Sequence, residues 1–140
     1  RDKRWYMGIP GIATLATAPF ALLFYTTENP TLALFLAVPA AILGPMYLGP
    51  TFGMTQSLVT PAMRATASAI LLFILNLIGL GLGPVFAGYL SDELRPSYGE
   101  ESIRYSLLIL AVAGNLWSAL HYYLASRTLR RDLQAKAAFA

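Results

Sequence analysis

Residues 65–91 read ATASAILLFILNLIGLGLGPVFAGYLS and contain no charged side chain. A helix needs about 20 apolar residues to cross roughly 30 Å of hydrocarbon, and this stretch exceeds that length. Three further uncharged runs that are also long enough occupy residues 5–27, 29–63 and 105–126. The pattern predicts an all-α membrane protein with four transmembrane helices, and the lipid bilayer as its first partner.

The composition argues against an enzyme. Hydrophobic residues make up 56% of the 140-residue chain and charged residues only 12%, whereas a soluble domain carries about 25% charged residues. The chain has no cysteine, its single histidine, His121, lies among interfacial aromatic residues, and no Asp or Glu lies inside a predicted span. We therefore expect no catalytic residue, no metal site and no cofactor.

The net charge of +3 does not predict a nucleic-acid partner, because the basic residues gather at the span ends instead of forming a stripe with aromatic residues. With the N-terminus inside, eight of the ten basic residues fall on the cytoplasmic side, and only Arg95 and Arg104 fall outside. The eight are Arg1, Lys3, Arg4, Arg64, Arg127, Arg130, Arg131 and Lys136. The bias predicts that both termini are cytoplasmic. The membrane is predicted to be a bacterial inner (plasma) membrane.

The chain is predicted to be one domain, 1–140, with spans at about 6–27, 31–59, 61–91 and 104–126, a polar loop at 92–103 and a basic cytoplasmic tail at 127–140. Span two is too long for an upright crossing, so it must tilt or bend. Pro39, Pro45 and Pro50 interrupt its backbone hydrogen bonds and predict the bends. Each bend is a candidate hinge that moves during function. A fixed bend that only fits the curvature of the bundle is an equal alternative.

Glycine and proline mark two further features of spans two and three. Gly49 with Gly53, and Gly79 with Gly83, form G-x-x-x-G faces that favour close helix packing. The residues predicted to act in packing or as hinges are Pro45, Gly49, Pro50, Gly53, Gly79, Gly83, Pro84 and Gly88. The run Gly79 to Pro84 lacks the third glycine and the preceding strand of a dinucleotide-binding loop, so nucleotide binding is not expected.

A few polar side chains lie inside the apolar runs. Asn76 must be hydrogen-bonded there, either structurally to another helix or as part of a substrate path. For Tyr47, Thr51 and Gln56 on span two, cavity lining and mere packing are equal alternatives. Arg64, at the start of span three, is either a topology determinant or part of a cytoplasmic gate.

Three segments carry a family resemblance: RDKRWY at 1–6, TPAMRATASAILLF at 60–73 and NLIGLGLGPVFAGYLSD at 76–92. Together they resemble the last third of a major facilitator superfamily transporter of the Spinster-like branch. The resemblance implies that the four runs match spans nine to twelve, in the C-terminal six-helix half. It implies that residues 1–4 end a basic loop and that Arg64 opens span eleven. It also implies that Gly83, Pro84, Gly88 and Asp92 form its glycine-proline segment.

The resemblance implies a function for the whole protein. That function is secondary active transport of an organic solute, amphiphilic or lipid-like in the Spinster-like branch, by alternating access. Spans ten and eleven would line the cavity, with nine and twelve at the periphery. The chain is then expected to be a fragment whose further partners are the missing N-terminal spans and a small organic solute. The alternative is a self-contained four-helix membrane subunit or a small homo-oligomeric exporter.

Overall fold

The computed structural model describes the backbone of residues 4–138 and the side chains of residues 4–135. Arg1, Lys3 and the side chain of Lys136, which entered the prediction of orientation, lie outside these limits. The described chain is entirely helical and contains no strand. Three helical runs, Trp5–Thr26, Pro30–Leu58 and Pro61–Ala135, are long and apolar enough to cross a membrane.

The first run is helix α1 (Trp5–Thr26), which stays helical through Pro10 and Pro19. Thr14 and Thr17 donate hydrogen bonds to carbonyl oxygens one turn back, at 2.9 Å to Pro10 and 2.8 Å to Ala13. These bonds satisfy hydroxyl groups that would otherwise be buried without a partner. Buried threonine and alanine give α1 a narrow packing face, which lies mainly against the last helix of the chain.

The second run is broken in the middle. Helix α2 (Pro30–Leu43) begins one residue before the predicted span, and Asn29 caps it by accepting hydrogen bonds from the backbone N–H groups of Thr31 and Leu32. A 3₁₀ segment (Gly44–Tyr47) then separates α2 from helix α3 (Leu48–Leu58). The break falls at Pro45, because its ring nitrogen cannot donate to the preceding turn.

The third run changes helix type three times before it turns. A short 3₁₀ segment (Pro61–Met63) leads into α4 (Arg64–Leu75), a π-helix (Asn76–Leu82) and α5 (Gly83–Tyr98). The predicted polar loop at 92–103 is wrong in extent, because α5 continues through Pro96. Only the 3₁₀ turn Gly99–Glu101 separates α5 from α6 (Ser102–Ala138).

Helices α5 and α6 fold back on each other at Gly99, whose φ of 55° requires a residue without a Cβ. Ser91 and Ser102 share a hydrogen bond of 3.0 Å, and farther from the turn Ser106, which is completely buried, donates to the Ala87 carbonyl oxygen at 2.7 Å. This register is antiparallel. The third run therefore contains two helices side by side and is not a single crossing.

The tail predicted at 127–140 does not separate from span four. Helix α6 continues to Ala138, and Leu129 is buried in a cluster with Met7 of α1 and Met54 of α3. Leu133, one turn further, packs against the same cluster. These two leucines form an apolar face with helical spacing, so burial extends α6 beyond the predicted boundary.

The cluster of Met7, Met54 and Leu129, called the Met7 cluster below, marks one end of the bundle. The beginning of α1, the end of α3 and the C-terminal part of α6 meet at one end, and the turn at Gly99 lies with the end of α1 at the other. Helix α1 contacts α6, α2 and α3, whereas α4 packs mainly on α3 and α5 mainly on α6. Within the described chain α1 is thus the central helix.

Candidate substrate path

Two hydroxyl groups join the broken second run to α6. The Thr51 Oγ1 and Tyr122 Oη atoms are 2.7 Å apart, and both residues are half-buried. Thr51 lies in the first turn of α3, and Tyr47 lies one turn earlier, in the 3₁₀ segment. The predicted pair Tyr47 and Thr51 therefore lies beside the helix break, with a third hydroxyl group added by α6.

Tyr122 was not predicted as part of this site. From the sequence it was one of several aromatic residues near His121 at the membrane interface. A tyrosine within an apolar run needs a partner for its hydroxyl group when it is buried, and this need was the available signal. Which helix supplies that partner depends on how α6 is rotated against α3, and the sequence alone does not contain that rotation.

Gln56 and Asn76 make different contacts. The Gln56 Nε2 atom donates to Ser68 Oγ at 3.0 Å, which ties α3 to α4. The Asn76 Nδ2 atom donates to the Leu72 carbonyl oxygen at 2.8 Å, one turn back in its own helix. No hydrogen bond described between residues 4 and 135 joins Asn76 to another helix. The four path candidates do not form one hydrogen-bonded cluster.

The π-helix begins at Asn76 and ends just before Gly83 and Pro84. Pro84 has no N–H group to donate to the preceding turn, and the N–H of Gly83 bonds to the Ile78 carbonyl oxygen, five residues back. Gly79 and Gly81 in this stretch weaken the competing α-helix by roughly 1 kcal/mol each. π-Helical segments are uncommon and often lie at functional sites.

The predicted glycine packing faces have no partner helix within the described chain. A Cβ added at Gly49, Gly53, Gly79 or Gly88 would meet no neighbouring atom within 4 Å. At Gly83 it would meet only the Ile78 carbonyl oxygen, at 3.7 Å. A role for these glycines in packing stays a prediction that concerns surfaces outside this part of the chain.

The close helix contact lies elsewhere, at Gly11 of α1. A Cβ built there would come 3.1 Å from the Tyr122 Cβ and 3.7 Å from the Ala119 carbonyl oxygen of α6. Gly11 was not predicted as a contact, because no glycine lies four residues away. Its neighbour Pro10 is fully buried, but that burial is a property of the fold that the sequence did not show.

Arg64 is exposed at the start of α4, and no side chain in the described part of the chain forms an ion pair with it. Its possible role as a gate stays a prediction. Arg104 at the opposite end is the more extensively bonded arginine. It donates to the carbonyl oxygens of Tyr25 and Thr27, the latter at 2.8 Å, and pairs with Glu101 at 3.0 Å.

The site offers hydroxyl and amide groups among apolar side chains, next to two interruptions of α-helical geometry. Among the residues whose side chains are described, no group of three His, Asp or Glu could hold a metal ion. Such a surface can bind a largely apolar molecule through a few hydrogen bonds, and its broken helices can bend.

Comparison with known proteins finds a similar sequence. Over 134 residues, 95% of its length, the chain is 41% identical to a protein of Mycolicibacterium smegmatis named "MFS-type efflux pump". That name places the relative in the major facilitator superfamily. The chain spans 31% of the length of that relative. No protein-family model and no solved structure matches the chain. The long apolar helices and this similarity together indicate an integral membrane protein.

Proposed function

We propose that the chain forms spans nine to twelve of a secondary active transporter, in the C-terminal half of a major facilitator fold. The transporter exports an organic, amphiphilic solute by alternating access. The observation that carries this proposal is the 41% identity with an efflux pump over nearly the whole chain. In this proposal α1, the α2–α3 run, the α4–α5 run and α6 are four successive crossings.

Unpartnered apolar surface supports a larger assembly. Leu34 and Phe35 of α2, Phe73 of α4 and Leu80 of the π-helix are each 65% to 76% exposed, and the glycine faces of the same two runs are open. An α-helix in lipid can expose apolar side chains, but backbone exposed at glycine stripes favours a second helix. The remaining spans of the same transporter fit these faces.

The substrate path is proposed to follow the broken helices. Tyr47, Thr51, Gln56 and Asn76 provide the polar groups along the two runs, and the surrounding side chains are apolar. A solute with a long apolar part and one or two polar groups matches this distribution. The Spinster-like branch rests on the three sequence segments alone and belongs to the same proposal.

The orientation is proposed to be cytoplasmic for both termini, in the bacterial inner membrane. The fold supports it, because Arg4, Arg64, Arg127 and Arg131 belong to the end marked by the Met7 cluster, and the acidic turn residues belong to the other. The basic residues are thus grouped in space as well as in the sequence.

Export of a fluorescent amphiphilic dye tests the function. The full-length protein is expressed in a host without other efflux pumps, and dye retention is compared for wild type, Asn76→Leu and Asn115→Leu. The two asparagines are matched, because Asn115 makes the same bond to the carbonyl oxygen one turn back, Ala111 at 2.8 Å. We expect Asn76→Leu to slow export several-fold and Asn115→Leu to leave it unchanged.

Absence of dye export by the wild type, for a panel of cationic, neutral and anionic dyes, would contradict the proposal. Equal loss in both asparagine variants would contradict the path through Asn76. Export by residues 1–140 alone would favour the alternative, a small homo-oligomeric exporter.

A further inference from the structure

A groove runs along the surface where α1 packs on α6, beside the first half of α1. Its volume is about 440 Å³, and its walls include Gly8 and Ile12 of α1 and Leu116, Leu120, Tyr123 and Ser126 of α6. The walls are apolar except at one end, where the Tyr123 and Ser126 hydroxyl groups lie. The groove is separate from the Thr51–Tyr122 contact described above, and the proposed substrate path does not use it.

The length of the groove corresponds to one leaflet. Along α6 the wall runs from Leu116 to Ser126, which at 1.5 Å per residue is about 15 Å. That is half of the roughly 30 Å of hydrocarbon in a bilayer. A volume of about 440 Å³ over about 15 Å gives a mean cross-section of about 30 Å², which is too small for an α-helix about 10–12 Å across. A single acyl chain is thin enough and long enough.

The polar end of the groove carries a positive charge. The Arg127 guanidinium lies 5.2 Å from the centroid of the Tyr123 ring, and that ring forms part of the groove wall. Arg131 follows one turn later on α6, and Trp5 lies at the same end beside Gly8. The opposite end, at Leu116 and Leu15, is apolar. The groove therefore has the charge distribution that complements an acyl chain with an anionic headgroup.

We propose that this groove binds one acyl chain of an anionic phospholipid, with the lipid phosphate at Arg127. The lipid belongs to the leaflet at the basic end of the bundle, where anionic headgroups and basic side chains attract each other. It acts as a bound structural lipid that fills the space between α1 and α6. The proposal requires that the chain spans a membrane but does not depend on which solute is transported.

Lipid retention by the purified full-length protein tests the proposal. The protein is exchanged into detergent with dioleoyl phosphatidylglycerol or dioleoyl phosphatidylcholine, and bound lipid is counted by native mass spectrometry. We expect one retained phosphatidylglycerol, bound more tightly than phosphatidylcholine. Arg127→Gln should weaken phosphatidylglycerol binding about fivefold, the effect of removing one cation from an anionic lipid surface. Arg131→Gln removes the same charge one turn beyond the groove and should change it much less.

A second pair of variants tests the acyl chain. Ile12→Trp places a larger side chain in the groove and should reduce retention of both lipids. Because Ile12 is exposed in this structure, the substitution should not unfold the protein. Leu34→Trp makes a similar change at an exposed position on α2 and should have no effect. Equal affinity for the two lipids, equal loss in the two arginine variants, or full retention by Ile12→Trp would each overturn the proposal.

Discussion

Arg104 joins the beginning of α6 to the C-terminal end of α1 through carbonyl oxygens that α1 leaves free. The last carbonyl groups of a helix have no partner in that helix, and the Arg104 guanidinium donates to those of Tyr25 and Thr27. Arg104→Gln should lower the free energy of unfolding by about 2 kcal/mol, the usual contribution of a hydrogen bond to a charged group. Denaturation of the purified protein in detergent measures the change.

Arg95→Gln is the matched control, because it removes one exposed positive charge in the last turn of α5 at the same end of the bundle. Its stability should equal that of the wild type. If both variants lose the same stability, the charge and not the bond to α1 is responsible.

The Thr51–Tyr122 contact allows a second prediction for single residues. Tyr122→Phe and Thr51→Val each remove one hydroxyl group of a 2.7 Å hydrogen bond. A double-mutant cycle should give a coupling energy of about 0.5–1.5 kcal/mol, because neither hydroxyl gains another partner in an apolar setting. Tyr123→Phe with Thr51→Val serves as the control and should give a coupling near zero. Additive losses in the first pair would contradict the contact.

Among the helical elements, α1 and α6 approach most closely at Gly11. Gly11→Leu places a side chain where even a Cβ would be 3.1 Å from the Tyr122 Cβ, so it should destabilise the protein by about 1–3 kcal/mol. Gly83→Leu meets no other helix of the described chain and should leave stability nearly unchanged. If the remaining spans pack on Gly83, that variant should instead reduce transport more than expression. Thermal stability and dye export, measured on both variants, separate the two roles.

The 3₁₀ segment between α2 and α3 is the element predicted to bend during transport. Pro45→Ala restores an N–H group that can bond to the carbonyl oxygen one turn back, so it should stiffen the run and slow transport. Pro39→Ala is the control, because the helix around Pro39 is already α-helical. Equal transport by Pro45→Ala and the wild type would identify the bend as fixed.

At the scale of the whole molecule, the bundle has a basic end and an acidic end. A reporter fused after Lys136 and one inserted after Gly99 should lie on opposite sides of the membrane, with the fusion after Lys136 in the cytoplasm. A reporter inserted after Glu28 should match the one at Gly99, because the Thr27 carbonyl oxygen bonds to Arg104 at that end. Alkaline phosphatase and green fluorescent protein activities report the side. The same side for Lys136 and Gly99 would rule out this topology.

The sequence by itself determined the class of protein and the approximate position of every helical run. Uncharged length and proline position are local properties, so they predicted apolar helices and a bent second span. Of the three prolines named for the bends, Pro45 lies at the break, whereas Pro39 and Pro50 lie within α2 and α3. These local properties did not predict the π-helix from Asn76 to Leu82, because Gly79, Gly83 and Pro84 were assigned only to packing or hinges in a continuous span.

Only the tertiary structure decided which of these residues touch. Gly11 is in close contact with α6, whereas Gly49 and Gly79 contact no other helix of the described chain. Tyr122 is the hydrogen-bond partner of Thr51. Leu129 is buried and extends the packed part of α6. A G-x-x-x-G pattern or an apolar stripe indicates that a helix face can pack, but it does not indicate which helix that face contacts. That choice depends on the rotation and spacing of whole helices, which follow from the sum of all contacts.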